Sequence, residues 1–220
     1  MGKTAIILGI TGVTGTALTE QLFKDQDYDT VVSFHRRKSG LAHPKLEEHI
    51  VDPTKLTTFA PSVKADVLFC CVGTTMAKAG SKAAFKKVDY DIPLQGAHYC
   101  VQHGINNLIV ISAMGANKDS RIFYNQVKGE MEEDISQLDI PKTYFVRPAL
   151  LDSDRTEKRT AERIAIKGFR ILNKMLVGPL KKYRSIKAVT VASAMGSIAA
   201  DGLPERTISS EVLKILAREG

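Results

Sequence analysis

The chain has 220 residues, a length that suits one domain, and its 44% hydrophobic and 25% charged residues describe a globular protein rather than a disordered one. No apolar run approaches the roughly 20 residues that span a bilayer, and glycines follow the apolar N-terminal residues too soon for a signal peptide. The net charge of +7 is regional, because residues 155–187 hold eleven lysines and arginines against two glutamates. We therefore predict a cytoplasmic protein whose charge does not by itself indicate nucleic-acid binding.

Short apolar runs alternate with helical patterns through the first 150 residues. Most of these runs are continuously hydrophobic over about five residues, which is typical of strands covered on both faces. The candidate strands cover residues 4–9, 30–35, 48–52, 66–73, 107–113 and 143–148. This alternation predicts right-handed crossovers and an α/β fold with a doubly wound parallel sheet, the Rossmann fold.

Helical periodicity fills several of the segments between these strands. The apolar positions at helical spacing are Leu18, Leu22 and Phe23, then Phe85, Val88, Leu94, Ala97 and Val101, and then Met131, Ile135 and Leu138. We expect these side chains to face the sheet.

The pattern changes after residue 150. A basic helix is predicted over 160–176, a second helix over 189–202 that ends at Gly202, and a third from residue 209 that begins at a serine cap. We predict an NAD(P)-binding core over 1–150 and a small C-terminal helical lobe over 151–220. This lobe would pack on the sheet within a single domain and shape a substrate or partner site.

The cysteines and histidines form no metal-binding pattern. Cys70 and Cys71 are adjacent in an apolar run and Cys100 has no C-x-x-C partner, so all three are predicted to be reduced core thiols. The five histidines show no H-x-x-x-H spacing, and no metal site is predicted.

Three glycines follow the first predicted strand and open the first predicted helix. Glycine permits positive φ and removes the Cβ atoms that would keep a pyrophosphate from the backbone N–H groups at a helix start. The spacing G-x-x-G-x-x-G in this strand-turn-helix context predicts a dinucleotide site rather than a bare structural turn. Its candidate cofactor-binding residues are Gly9, Thr11, Gly12, Val13, Thr14 and Gly15.

The end of the second strand bears on the choice between NAD and NADP. An NAD site usually has an acidic residue there, whereas this chain has Arg36 and Arg37. Two guanidinium groups suit a ribose 2′-phosphate, so NADP(H) is favoured over NAD(H), although a solvated basic loop is the alternative. Asp52, after the third strand, is placed either to accept a hydrogen bond from the adenine amino group or to form a turn with Pro53.

A tyrosine and a lysine four residues apart share one face of a predicted helix. Tyr124 and Lys128 follow Ser112, which ends the fifth strand. An ammonium favours the phenolate, so Lys128 is expected to lower the pKa of Tyr124 and to reach cofactor ribose hydroxyls. Ser112 could then orient a substrate carbonyl while Tyr124 exchanges its proton.

Taken together, these segments resemble a known family. "ILGITGVTG", "HRRK", "FCCVGTTMAKAG", "KVDYD", "ISAMGANKDS", "YNQVKGEME" and "VRPALLDSDR" are similar to atypical short-chain dehydrogenase/reductases, in particular the Tat-interacting-protein-like NAD(P)-binding oxidoreductases. The resemblance covers roughly residues 4–155 and matches the tail only loosely. It implies that Val72, Gly73 and Thr74 line the adenosine ribose and that Pro148 and Ala149 lie beside the nicotinamide.

The chain departs from the family in its proton relay. Many short-chain dehydrogenases use an Asn in the helix after the fourth strand, and this chain has no Asn between Thr74 and Ile105. Water or another group must complete the relay, or turnover is weak.

Three classes of function remain open from the sequence. The leading hypothesis is an NADP(H)-dependent oxidoreductase acting on a small carbonyl or alcohol. The alternative is an NADP(H)-binding regulator or redox sensor with a protein partner, and a homo-oligomer is compatible with both. A membrane or nucleic-acid binder that uses the basic segment 155–187 is disfavoured, because its apolar positions read as core. A sugar epimerase is disfavoured by the short tail.

Overall fold

Nine strands occur in the part of the chain that the structure, a computed structural model, describes, namely residues 2–152 and 184–219. They are β1 (Lys3–Leu8), β2 (Tyr28–His35), β3 (Leu46–Ile50), β4 (Val67–Cys70), β5 (Asn107–Ile111), β6 (Lys142–Arg147), β7 (Leu151–Asp152), β8 (Ile186–Lys187) and β9 (Thr207–Ser209). Seven of them form one parallel sheet in the order β3-β2-β1-β4-β5-β6-β9, and β7 pairs with β8 separately. The predicted doubly wound parallel sheet is confirmed.

Helices cover both faces of this sheet. They are α1 (Val13–Lys24), α2 (Leu56–Phe59), α3 (Met76–Ala79), α4 (Lys82–Lys86), α5 (Ile92–His103), α6 (Phe123–Ser136), α7 (Ala188–Asp201) and α8 (Ser210–Glu219). Alternate strand residues feed two hydrophobic clusters: Ile7 packs with α1 and α7, and Leu8 packs with α5 and α6. Because both faces are covered, the central strands β4 and β5 are buried throughout, whereas the edge strand β3 has no buried residue.

The predicted inward faces are confirmed except at one helix. Leu18, Leu22, Met131 and Ile135 are buried, whereas Val101 is 46% exposed and its predicted inward orientation is wrong. A π-helical turn, Lys87–Asp91, joins α4 to α5, so the two helices do not follow one 3.6-residue repeat.

The C-terminal segment contributes to the sheet and to its core. α7 ends at Gly202, whose φ is +69°, and Ser209 Oγ accepts a hydrogen bond from Val212 N at 3.4 Å, so the predicted helix end and serine cap are confirmed. α7 also contacts α1, where Gln21 Nε2 donates to Ser193 Oγ at 3.0 Å. The division into a core and a lobe stays a prediction, and the predicted basic helix over 160–176 lies outside the described residues.

The three cysteines are buried and free, which confirms their prediction as reduced core thiols. Within residues 2–152 and 184–219, no group of three or more His, Cys, Asp or Glu side chains could hold a metal ion. No helix in these same ranges is both long enough and apolar enough to cross a membrane.

Candidate active site

The order of the strands reverses between β1 and β4, and the candidate site lies at the carboxyl ends of the strands around this point. Leu8 pairs with Cys70, and Cys71 N donates to Leu8 O at 2.8 Å. Ligands of doubly wound sheets bind in the crevice at such a reversal. The turns after β1, β2, β4, β5 and β6 carry the residues that the sequence singled out.

The turn after β1 can be built only with glycine at two of its three glycine positions. Gly9 has a φ of +89°, a conformation that side chains disfavour. A Cβ atom on Gly15 would lie 2.1 Å from the carbonyl oxygen of Gly9, so the start of α1 packs directly on the turn. Gly12 N donates to Gly9 O at 3.0 Å, which closes the loop.

The start of α1 suits a phosphate group. Gly12 occupies the N-cap position, and no side chain caps the helix there. The hydroxyl of Thr14, a residue that is 3% exposed, has no hydrogen-bond partner among the described residues. Uncapped N–H groups, the helix dipole and an unpaired hydroxyl fit the pyrophosphate of a dinucleotide.

The two predicted phosphate-binding arginines lie at the end of β2. Arg36 and Arg37 directly follow His35 and are exposed. Asp52 follows β3. Hydrogen bonds from Thr54 hold the pKa of the Asp52 carboxyl below its usual value, and the charges of Lys87 and Arg36 lower it further by smaller amounts. Asp52 Oδ1 accepts hydrogen bonds from Thr54 N at 3.0 Å and Thr54 Oγ1 at 2.9 Å, so that oxygen serves the turn, and the adenine contact stays a prediction.

The turn after β4 is tied to a buried carboxylate. Thr74 N donates to Asp89 Oδ2 at 2.9 Å, and Asp89 belongs to the π-helical turn before α5. Asp89 Oδ1 lies 2.9 Å from Lys128 Nζ, and both side chains are 1% exposed. Asp89 thus joins the expected ribose-binding turn, residues 72–74, to the predicted catalytic lysine.

α6 places the tyrosine and the lysine across the end of β5. Lys128 Nζ donates to the carbonyl oxygen of Ile111 at 3.2 Å, one residue before Ser112. Ser112 is 3% exposed and its hydroxyl has no partner among the described residues. Tyr124 lies one helical turn before Lys128, with its ring 5.4 Å from that of Phe85. Ser112 therefore lies next to the strand end that Lys128 contacts, and Tyr124 lies one turn before Lys128 on the same helix.

The loop after β5 is packed closely on α6. A Cβ atom on Gly129 would lie 2.1 Å from Lys118 N, and Asn117 N donates to Asn125 O at 3.0 Å. On the other side, Met114 N donates to Pro148 O at 3.2 Å, which places the expected nicotinamide-contacting turn of Pro148 and Ala149 beside the same loop. These contacts fix Ser112 relative to α6.

The pKa of Tyr124 differs from the expectation. Burial raises the pKa of the phenol, Lys128 lowers it, and Asp89 raises it again, so that the net shift is upward. Lys128 does lower the tyrosine pKa, as expected, but burial, the largest effect, together with the charge of Asp89 outweighs it.

Asp89 is a buried residue of the candidate site that was not identified from the sequence. A signal for it existed: Asp89 lies four residues after Phe85 and three before Ile92, so an acid interrupts an apolar helical face. An ionisable group on such a face is rare unless it is paired. Its partner, Lys128, could not be inferred because it lies in a different helix.

The sequence also matches known proteins. A family model described as NAD(P)H-binding matches residues 9–171. Protein HTATIP2 of Rattus norvegicus is 36% identical over 171 residues, which cover 76% of this chain and 70% of that protein. The chain belongs to the NAD(P)H-binding family. Its resemblance to the atypical short-chain dehydrogenase/reductases of the Tat-interacting-protein-like kind is confirmed by these matches.

Other members and solved structures agree on the family and the fold. Protein FMP52-1, mitochondrial, of Scheffersomyces stipitis is 34% identical over 182 residues, or 80% of this chain and 75% of that protein. A short-chain dehydrogenase/reductase from Saccharomyces cerevisiae superposes with a TM-score of 0.66 at 14% identity, covering 95% of this chain and 96% of that one. An oxidoreductase of the short-chain dehydrogenase/reductase family from Burkholderia thailandensis gives 0.67 at 15% identity, covering 100% and 97%. At these identities the structures show the fold alone.

The prediction of a cytoplasmic protein is wrong. The FMP52 relatives from Scheffersomyces stipitis and Candida albicans, both 34% identical to this chain, are named as mitochondrial proteins, which conflicts with it. Composition and hydropathy report on solubility and membrane spans, whereas cellular compartments are assigned by signals that receptors recognise.

Proposed function

We propose that this NAD(P)H-binding protein is an NADP(H)-dependent oxidoreductase that reduces a small carbonyl compound. The observation that carries the proposal is the buried contact of Lys128 with the end of β5, which sets an unpaired Ser112 hydroxyl beside the tyrosine helix. A buried hydroxyl without a partner costs free energy, and a substrate oxygen would satisfy it. A structural role alone gives no reason to retain such a group.

Each residue has a role in this proposal. The glycine turn and α1 hold the pyrophosphate, and Lys128 donates to ribose hydroxyls. When bound, NADPH supplies a hydride to the carbonyl carbon and becomes NADP⁺. Ser112 donates a hydrogen bond to the carbonyl oxygen, and the Tyr124 phenol gives its proton to that oxygen, which yields the alcohol. The resulting phenolate then recovers a proton from solvent.

Tyr124→Phe is expected to bind NADPH with unchanged affinity and to lose at least about a hundredfold in the rate of carbonyl reduction, because it removes only the proton donor. The measurement is steady-state oxidation of NADPH with a panel of aldehydes and ketones. Tyr28→Phe is the matched control, since Tyr28 lies at the start of β2, at the opposite end of the strands from the candidate site, and should keep the full rate. Full activity in Tyr124→Phe would refute the assignment.

Arg36→Ala with Arg37→Ala is expected to weaken NADPH binding about a hundredfold and to change NADH binding little, because hydrogen bonds to charged groups contribute roughly 1.5–3 kcal/mol each. Titration calorimetry with both cofactors measures the difference. Lys38→Ala removes a neighbouring exposed charge and should leave the preference for NADPH intact. Equal losses for NADPH and NADH in the double variant would contradict a 2′-phosphate site.

One observation favours a second candidate, an NADP(H)-binding regulator with little turnover. The chain has no Asn between Thr74 and Ile105, where many short-chain dehydrogenases extend their proton relay, so proton transfer at this site could be too slow for a metabolic reaction. A regulator would bind NADPH tightly and reduce no carbonyl in the panel. The same assay therefore separates the two candidates.

A further inference from the structure

The buried carboxylate beside the catalytic lysine has a role of its own at this site. We infer that Asp89 is a positioning residue that fixes Lys128 and offsets its charge, so that Tyr124 remains a neutral phenol and acts as a proton donor. The inference rests on the proposed function for its catalytic consequence. Its charge effect can be measured without any turnover.

Asp89 holds two parts of the site at once. Its Oδ1 atom contacts Lys128 Nζ at 2.9 Å, and its Oδ2 atom accepts from Thr74 N at 2.9 Å. Lys128 Nζ also donates to Ile111 O at 3.2 Å. An ammonium has three N–H donors, so these two contacts leave one for a ribose hydroxyl. Lys128 is thereby held in place by two contacts, one from each neighbouring element.

Asp89 and Lys128 are both buried, so it matters that their opposite charges cancel. Both side chains are 1% exposed, and desolvation would strongly destabilise an unpaired charge there. A neutral pair next to Tyr124 does not create the positive field that a lone ammonium would. Tyr124, one turn away on α6, is therefore buried with little net charge nearby.

Two charged groups act on Tyr124. Lys128 lies on the same helix and Asp89 on the π-helical turn, and both also act on Cys70 at the end of β4. Burial raises the pKa of Cys70 to about 11, so it stays a neutral thiol at physiological pH. Tyr124 has its pKa raised by burial first and by Asp89, against a lowering by Lys128. The phenol is therefore protonated across the physiological range.

This protonation state favours one direction of reaction. Reduction needs the phenol, which gives its proton to the carbonyl oxygen, whereas oxidation of an alcohol needs the phenolate as a base. We expect the reduction rate to stay level through neutral pH and to fall only as the pH rises through the raised pKa of Tyr124. Oxidation of the alcohol should become measurable only at alkaline pH.

The test is a pH titration of the tyrosines, labelled with ¹³C at the ring carbon that bears the hydroxyl, in wild type and Asp89→Asn. The Tyr124→Phe spectrum assigns the Tyr124 signal among six tyrosines. In the wild type, the pKa measured from this signal should not lie below the ordinary tyrosine value of about 10. Asp89→Asn keeps an acceptor for Thr74 N but removes the negative charge. The pKa of Tyr124 should then fall by at least about one unit, because the charge of Lys128 is no longer offset.

Two results would overturn the inference. One is a pKa of Tyr124 in the wild type that lies well below the ordinary value. This measurement does not depend on the folding of any variant. The other is a folded Asp89→Asn protein with an unchanged Tyr124 pKa. If a carbonyl substrate is found, the alkaline fall of the reduction rate should move to lower pH in Asp89→Asn by the same shift. Absence of turnover would refute the oxidoreductase proposal and leave the titration result intact.

Discussion

Gly15→Ala is expected to abolish NADPH binding at concentrations that saturate the wild type. The new Cβ atom would lie 2.1 Å from Gly9 O and 2.8 Å from Gly9 C, both backbone atoms, so either the turn or the start of α1 must move. Movement there separates the N–H groups from the pyrophosphate, and losing two hydrogen bonds to a charged group weakens binding by at least about a hundredfold. Fluorescence titration with NADPH measures the loss.

The matched control is Gly196→Ala in α7, where an added Cβ atom has no neighbour within 4 Å. It should leave NADPH binding unchanged and raise the free energy of unfolding by about 0.5–1 kcal/mol, because alanine is the better helix former. A Gly15→Ala protein that binds NADPH as the wild type does would contradict the pyrophosphate site at this turn.

Lys128→Met is expected to lower the free energy of unfolding by about 3–5 kcal/mol, because it leaves the Asp89 carboxylate buried without its cation. The loss should show as a lower midpoint in urea denaturation with an unchanged slope. Catalysis should fall as well, but the stability effect is measurable in the absence of cofactor and substrate.

The double variant Asp89→Asn with Lys128→Met isolates the pair. Replacing both charges removes the uncompensated ion, so the double variant should recover a large part of the stability lost in Lys128→Met. If the double variant were destabilised by the sum of the two single effects, Asp89 and Lys128 would not interact in the folded protein.

Local sequence signals were sufficient for most of the sheet and for the cofactor turn. Continuous apolar runs identified most of the six predicted strands, because a strand covered on both faces leaves few polar positions, whereas the edge strand β3 is polar and has no buried residue. Gly9 and Gly15 were identifiable because their spacing follows from the close approach of the backbone that the structure shows. Gly202 and Ser209 marked helix ends through their local conformational roles.

Features that depend on distant contacts were not predictable in the same way. β9 has three residues, too few for a periodic pattern, and it is a strand only because it pairs with β6. In α5 the buried face includes Gly96, Tyr99 and Cys100, so Val101 lies outside it, and the apolar spacing alone did not show which side of this helix meets the sheet. The upward direction of the Tyr124 pKa shift depended first on burial of the phenol and then on Asp89, which lies 35 residues earlier in the chain, and both effects arise only through the fold.

The most direct test of the central claim is a single turnover with NADPH that carries deuterium at the transferred position. Wild type would be mixed with this cofactor and each member of the carbonyl panel, and the products would be analysed by mass spectrometry. We predict deuterium on the carbinol carbon of at least one product, transferred by wild type and not by Tyr124→Phe. Tight binding of NADPH by the wild type without deuterium in any product would contradict the claim that this site reduces carbonyl compounds.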